Sequence, residues 1–323
     1  MIQQQIIRRK DDVYMANVIE LVKKAIPLLD KIYKAGAKTS VLDGDISLTR
    51  AGANANEILI PKMTLDGLSD YGRDGSGYDS GATKLEYEAK KFNYDRGQKF
   101  AVDAMDDEES VGVAFGQLSG EFIRTKVIPE VDAFRFSIYH SKAGKTKSED
   151  IANGKAAITA LRTASNVMDE GEVDEENRIL FITPTLRGMI EDLDTTASKL
   201  VLGRFSQIIS VPQSRLFTDV ELAKHGFKAK ATSKNINFIV VQKQAILQYQ
   251  KHLVNKTISP ELNQSSDDWL FFFRAYQLCE AYDNKVNGIY ASVSTTASTV
   301  DTTKEGATAI IAAASTTEDS SKK

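Results

Sequence analysis

Apolar residues recur at helical spacing over residues 17–35, where Val18, Leu21, Val22, Ala25, Leu28, Leu29 and Ile32 share a face. Gly36 offers a stop, and Pro27 predicts a kink or two shorter helices. Residues 57–63 predict a short strand whose internal Pro61 makes it an edge or one arm of a projecting hairpin. The run Tyr71-Gly-Arg-Asp-Gly-Ser-Gly-Tyr-Asp-Ser-Gly81 follows, rich in glycine and tyrosine. It leads into a polar strand with Leu85, Tyr87 and Ala89 on one face and Glu86, Glu88 and Lys90 on the other. After Lys91 the parity moves to Phe92 and Tyr94, which predicts a bulge or bend. A strand this polar has little core to cover and suits an arm reaching into solvent or across a partner.

Asp103 is the expected N-cap of a long amphipathic helix opened by Asp106-Asp-Glu-Glu109, carboxylates that suit the positive end of the helix dipole. Val111, Phe115, Leu118 and Phe122 form one stripe. Val127, Val131, Phe134 and Ile138 continue it with a change of phase near Pro129, where a kink is expected. Continuous to Tyr139, this helix spans roughly 50 Å at ~1.5 Å per residue. Residues 141–153 are polar and read as a boundary. Beyond it lies an α/β pattern: a helix marked by Ile158, Leu161, Ala164, Val167 and Met168, a buried strand over Arg178–Ile182, and a helix capped by Thr183 with Pro184 first. Further strands are predicted at 207–211, 237–241, 269–276 and 288–293. From Ser294 the chain turns to Ser, Thr and Ala, a tail or small appendage in which 307–314 could form one strand or helix. There is no internal repeat.

Composition narrows the function classes. Of 323 residues, 42% are hydrophobic and 26% charged, enough to bury a core, and length permits one large or two medium domains. The 41 basic and 44 acidic residues give a formal charge of −3, which argues against a dedicated nucleic-acid binder but not against a protein that encloses nucleic acid. The single Cys279 excludes an intrachain disulfide framework, fits a reducing compartment and reads as a small buried hydrophobe on a strand. The N-terminal charges follow a short apolar patch instead of preceding it, which is not a signal-peptide pattern, and no apolar run reaches membrane-spanning length. The reading is a soluble, cytosolic protein.

Chemistry is sparse. The glycines at 72, 75, 77 and 81 match neither dinucleotide nor Walker spacing, so a hairpin tip with Tyr71 and Tyr78 as contact residues is the better account. His140, His225 and His252 are not paired at metal-ligand spacing, and no nucleophile elbow is visible. The acidic quartet points in several directions around a helix and reads as a solvated helix start. No catalytic, cofactor-binding or metal residue is assigned.

The order of elements, with Tyr71-Gly-Arg and Gly77-Tyr78, Tyr94-Asp-Arg-Gly-Gln-Lys-Phe100 leading to Val102-Asp103 and Met105-Asp106, Ile128-Pro-Glu-Val-Asp-Ala-Phe-Arg135, Ile209-Ser-Val-Pro212 and Asn287-Gly-Ile-Tyr290, resembles the major capsid proteins of tailed bacteriophages. Theirs is the Hong Kong 97-type fold. The likeness covers about residues 20–293 and lies in the order of motifs, none of which is enzymatic. It implies an α+β chain with an N-terminal arm (1–41), an extended β-hairpin loop over a neighbouring subunit (42–104), a peripheral domain with spine helix and sheet (105–149 and 253–293), an α/β axial domain (150–252) and a tail (294–323).

It further implies a non-enzymatic shell protein that assembles with itself as pentamers and hexamers into an icosahedral capsid around packaged double-stranded DNA, without sequence-specific binding and without a membrane. A portal protein and, since only residues 1–41 precede the hairpin, a separate scaffolding protein are the implied partners. Its place is the virion, and the host cytoplasm during assembly. Inter-subunit contacts are expected at Arg73, Tyr78, Glu86, Arg96 and Arg135, since a closed shell needs arms and rims that tolerate several environments. Maturation by shell expansion is implied as well. Covalent crosslinking between Lys84, Lys90 or Lys91 and Asn284 or Asn287 occurs in a few relatives, but such residues are common. The rival readings are an encapsulin-like nanocompartment with a protein cargo, a decoration or tail component, and an enzyme. Co-purified cargo, the long helix with its α/β domain, and ligand-dependent stabilisation of a monomer, respectively, discriminate them.

Overall fold

The computed structural model describes residues 36–44, 50–51, 56–71, 73, 77–78, 80–105, 113–193 and 195–297. The expected helix over 17–35, the acidic quartet and the patch at 307–314 lie outside these residues. The chain divides into two units. The first combines residues 1–41, 105–246 and 281–323, the second 42–104 and 247–280.

In the second unit β1 (Arg50–Ala51), β2 (Glu57–Leu65) and β3 (Thr83–Lys91) form one sheet in that order. The hairpin β2–β3 pairs Glu57 with Lys91 through to Leu65 with Thr83. Among the described residues β1 pairs only with Ile58 and Leu59, and Pro61 faces Tyr87 of β3. The expected bend after Lys91 is a change of sheet. β4 (Tyr94–Asp103) leaves the hairpin and pairs with a strand far along the chain. At the crossing Asn93 acts as a side-chain rung, its Nδ2 donating to Cys279 O (2.7 Å) and its Oδ1 accepting from Cys279 N (3.1 Å).

In the first unit α1 (Val113–Phe122) runs through a π-helical turn (Ile123–Val127) into α2 (Ile128–Ser141). The change of phase predicted at Pro129 is this turn: Ile128 N donates five residues back to Ile123 O, so the extra residue is absorbed just before a proline that has no N–H to donate. The stripe predicted beyond it needs correction. Phe134 and Ile138 are only half-buried, whereas Val131, Asp132, Arg135, Phe136 and Tyr139 are buried. α2 is enclosed on most sides, so burial does not follow a single apolar stripe.

The predicted boundary at 141–153 contains β5 (Lys145–Ser148), an exposed edge strand parallel to β13; with no face to bury, it carries no apolar alternation. α3 (Gly154–Glu170) follows, its N-cap Asn153 accepting from Ala156 N, then β6 (Arg178–Ile182), α4 (Pro184–Glu191), α5 (Thr196–Leu202) and β7 (Gln207–Ser210). Thr183 stands at the N-cap of α4 with extended backbone and Pro184 at the first helical position, although its side chain makes no capping bond. β8 (Val220–Leu222) and β9 (Phe227–Ala229) form a small ribbon. β10 (Lys234–Gln242) and β13 (Ile289–Ala297) complete a five-stranded sheet of order β5-β13-β10-β6-β7. Leu180 and Ile182 of β6 turn to the core under α3–α5, and Phe181 turns the other way to meet Phe136 of α2 edge to face at 5.1 Å. Helices therefore cover both faces, which is why all five residues of β6 are buried. β13 runs three residues past the expected start of the tail, held by Asp150, which accepts from Ser294 Oγ (2.9 Å) and Thr295 N (3.0 Å).

β11 (Ile246–Ile258) and β12 (Asp268–Ala281) are the long strands of the second unit, in a sheet of order β11-β12-β4. Cys279 on β12 is fully buried, as its neighbours predict.

Candidate assembly surfaces

Alternation fixes what the hairpin shows to solvent. Pro61, Met63 and Leu65 of β2 lie opposite Tyr87, Leu85 and Thr83 of β3, so the odd-numbered side chains form one apolar face. That face is uncovered: Met63 is 58% exposed, Leu65 63%, Leu85 52% and Tyr87 43%. The opposite face is buried at its base, where Ile58 and Ile60 lie opposite Lys90 and Glu88, and polar beyond it, with Lys84 paired to Glu86 and Lys90 to Glu88 (2.7 Å). The Lys84 ammonium, with Lys62 further off, holds the Glu86 carboxyl below the usual range. Over nine residues each strand reaches about 30 Å. The tip is closed at its base by Asp66, whose Oδ2 accepts from Ala82 N (2.7 Å), and carries Tyr71 and Tyr78 edge to face at 4.9 Å. Gly77 has φ +70°, a left-handed conformation that favours glycine.

The expected contact residues do not share one setting. Arg73, Tyr78 and Glu86 are exposed on the hairpin, Tyr78 to 90%. Arg96 lies on the half-buried face of β4. Arg135 is buried in its own unit, 1% exposed, with Nη1 donating to Thr39 Oγ1 (3.0 Å), so its side chain is spent on the chain's own interior.

That bond leads to a site the sequence reading missed. Asp132, wholly buried on α2, accepts from Lys38 N (3.1 Å), Thr39 N (3.2 Å), Thr39 Oγ1 (2.7 Å) and Arg215 Nη1 (2.9 Å). It ties the short 3₁₀ turn Lys38–Leu42 and the loop around Arg215 to the helix. The signal was available in Asp132 and Arg135, two charges one turn apart inside an apolar helix.

The histidines fit no ligand set. His225 and His252 are exposed; His140, at the end of α2, has its pKa lowered by burial, against a hydrogen bond it donates to the Thr218 backbone and the nearby Asp219. Among the described residues no group of His, Cys, Asp or Glu could hold a metal ion, and no helix is long and apolar enough to cross a membrane. Lys84, Lys90 and Lys91 all lie on β3, Lys91 within 3.8 Å of Glu57; Asn284 and Asn287 lie between β12 and β13.

No protein-family model and no curated protein matches the chain. Solved structures do. A structure from Mycobacterium phage Che8 superposes with a TM-score of 0.52 at 11% identity, covering 74% of this chain and 85% of the other. A capsid structure of the cyanophage P-SCSP1u gives 0.52 at 13% identity, covering 77% and 86%. The mature capsid of bacteriophage PhiM1 gives 0.50 at 11%, covering 75% and 83%. Shared architecture at such low identity is a statement about fold, and the chain is a mixed helix-and-sheet protein with the fold of phage capsid structures, the fold its sequence resembles.

Proposed function

We propose that the chain is a major capsid protein of a tailed bacteriophage, which assembles with itself into an icosahedral shell around packaged double-stranded DNA. The observation that carries this is the shared fold with the two phage capsid structures over about three quarters of the chain. The uncovered apolar face of the hairpin supports it. A folded chain that leaves Met63, Leu65, Leu85 and Tyr87 in water on a projecting arm has a surface built for a neighbour.

On this reading residues 42–104 are the extended loop, 105–149 with 253–293 the peripheral domain and 150–252 the axial domain. Arg73, Tyr78 and Glu86 stand at inter-subunit contacts, and a separate scaffolding protein and a portal protein complete the assembly in the host cytoplasm. The test is negative-stain electron microscopy of the purified chain, expressed alone and with any neighbouring scaffold candidate. Closed shells, or rings of five and six, are expected, with DNA as the contents when the whole phage machinery is present. A homogeneous monomer or dimer under both conditions would sink the proposal. Shells filled with a host enzyme would turn it into a nanocompartment.

A further inference from the structure

β4 is an edge strand. Its sheet runs β11-β12-β4, and among the described residues no strand lies on the far side of β4. Its ten residues reach about 33 Å and keep an unbroken register with β12, from Tyr94 opposite Gln277 to Asp103 opposite Asp268. One step further, Ala104 N donates to Asp267 O (3.0 Å), which marks that pair as one joined by hydrogen bonds. In an antiparallel ladder such pairs alternate, so Tyr94, Arg96, Gln98, Phe100 and Val102 turn their backbone groups to β12. Asp95, Gly97, Lys99 and Ala101 turn theirs to the open side, and all four are exposed. The carbonyl of Lys99 is met there by the side-chain amide of Gln98 at 3.4 Å, a long bond that a strand would replace.

An exposed edge is a template for another strand, and charges along it usually keep strands away. The side chains of Asp95 and Lys99 stand on one face of β4 with Gly97 midway between them. Arg274 grips Asp95 with bonds of 2.9 and 2.7 Å, and Lys99 Nζ lies 5.7 Å from the centre of the Phe272 ring, so both charges are placed by their own sheet. In a two-fold antiparallel pairing of β4 with itself, the residue at the centre decides what meets. Centred on Asp95 or Lys99, like charges face each other and repel. Centred on Arg96, Gln98 or Phe100, no carboxylate faces Lys99. Centred on Ala101, Lys99 faces Asp103, but only residues 99–103 overlap, and Asp103 is already engaged within its own chain. Centred on Gly97, Asp95 of each copy faces Lys99 of the other, residues 94–100 overlap over about 23 Å, and the backbone groups that meet are the outward-turned ones.

We infer that β4 pairs with β4 of a second copy in the register centred on Gly97, joining two sheets into one of order β11-β12-β4-β4-β12-β11. The backbone ladder carries the contact and the charges select its register. Asp95 therefore keeps Arg274, since each carboxylate oxygen retains a lone pair for the Lys99 ammonium of the second copy. Gly97 lies on the two-fold axis, where the missing side chain lets the two backbones approach closely. The inference rests on the shell reading above: rings of subunits close into a shell only where a contact joins one ring to the next, and a two-fold contact needs the same surface from both sides. A strand is the fitting partner for this edge. Amides and carbonyls alternating at strand spacing match another backbone, whereas a phosphate backbone would meet the carbonyls and Asp95.

Two experiments test the ladder and its register. Lys99→Pro removes an outward N–H that β12 does not use, and should lower particle yield at fixed protein concentration by about tenfold. Lys99→Gln keeps that N–H and should stay within about threefold of the original yield. Circular dichroism and gel filtration of the dissociated chains report on folding. For the register, one chain carrying Asp95→Cys and another carrying Lys99→Cys are mixed, assembled and oxidised. Directly opposed residues lie within disulfide reach, so a covalent dimer of the two chains is expected. Neither chain alone should form one, because its two cysteines are then four positions out of register, about 13 Å along the strand, and Cys279 is buried. If particles form but the mixed chains give no dimer, or Lys99→Pro folds and assembles as well as Lys99→Gln, the contact is overturned and the shell reading stands. A dimer from either cysteine chain alone assigns a different register and overturns this one. If no particles form while the mixed chains still dimerise, the pairing stands and the shell reading falls; with neither, both fall. Should Lys99→Pro fail to fold, the cross-link decides alone.

Discussion

Replacing Asp132 by alanine removes the acceptor at which three segments of the first unit meet. Four hydrogen bonds end on this carboxylate, two from backbone amides, one from Thr39 Oγ1 and one from the Arg215 guanidinium. Hydrogen bonds to a charged group contribute about 1.5–3 kcal/mol each, but burying the carboxylate costs several kcal/mol, so the sum of the four overstates their net worth. What decides the outcome is the groups left behind. Arg215 keeps 18% of its side chain exposed and loses its counter-charge, while two amides and the hydroxyl of Thr39, a fully buried residue, lose their acceptor. Breaking a buried pair from one side costs about 3–5 kcal/mol. For a unit of this size that is a fall of roughly 10 °C in Tm. Denaturant unfolding gives the free energy, and Thr39→Val in a double-mutant cycle isolates the coupling, expected at about 1–2 kcal/mol because Thr39 Oγ1 both donates to Asp132 and accepts from Arg135. Limited proteolysis should show faster cleavage around residues 36–42 in the Asp132→Ala chain. A loss under 1 kcal/mol with unchanged cleavage would refute the claim that this carboxylate anchors the turn.

Gly154→Ala should destabilise by about 2–3 kcal/mol, since a Cβ at the first residue of α3 would run into the backbone carbonyl of Met189, and thermal unfolding measures it. His140 has a lowered pKa in the fold, so the unfolded chain binds the proton more readily; its contribution is fully present above about pH 6.5 and is lost as pH falls through the folded value. Comparing Tm from pH 7.5 to 5 with that of a His140→Gln chain isolates it, and the variant should show the shallower decline. Met63→Ser with Leu65→Ser should leave the Tm of the dissociated chain within about 2 °C, because both side chains are more than half exposed (58% and 63%), yet raise the protein concentration needed for particles several-fold, read by light scattering.

Legibility followed the source of each element's order. β6 could be read to the residue because Arg178–Ile182 is a short apolar run buried on both faces, and the hairpin because Pro61 and the alternation at Leu85, Tyr87 and Ala89 left little core for it to cover, although Ile58 and Ile60 at its base are buried. The interruption of the long helix was visible in Pro129, although not its form as a π turn at 123–127. What failed were features set by tertiary context. β5 is an exposed edge strand whose sequence has no periodicity to read. The buried face of α2 includes Asp132 and Arg135, whose burial depends on segments some 80 to 100 positions away. Arg135 read as a surface contact for the same reason. The joining of β4 to β12 was invisible because the two strands lie some 170 positions apart and their register, Asp103 opposite Asp268 through Tyr94 opposite Gln277, is not announced by local sequence.

The division between satisfied and unsatisfied surfaces bears on how the chain associates. Inside each unit the charges are answered: Asp132 by Arg215 and Thr39, Arg178 by Asp169, Asp150 by the start of the last strand's exposed end. The apolar face of the hairpin stands open, with Met63, Leu65 and Leu85 more than half exposed. That face is small. Covering its apolar side chains gives at most about 4–6 kcal/mol. Bringing two chains together costs an estimated 4–15 kcal/mol in lost freedom, so a single contact leaves little or no net association. A closed ring has one more contact than it has losses of freedom, because the closing chain makes two contacts at once, and a shell in which each chain has several neighbours gains more, so the balance turns favourable only on closure. A chain built this way should pass from monomer to closed assembly over a narrow range of concentration with few dimers between. That behaviour suits a shell subunit, which must stay soluble until enough copies and a nucleating partner are present.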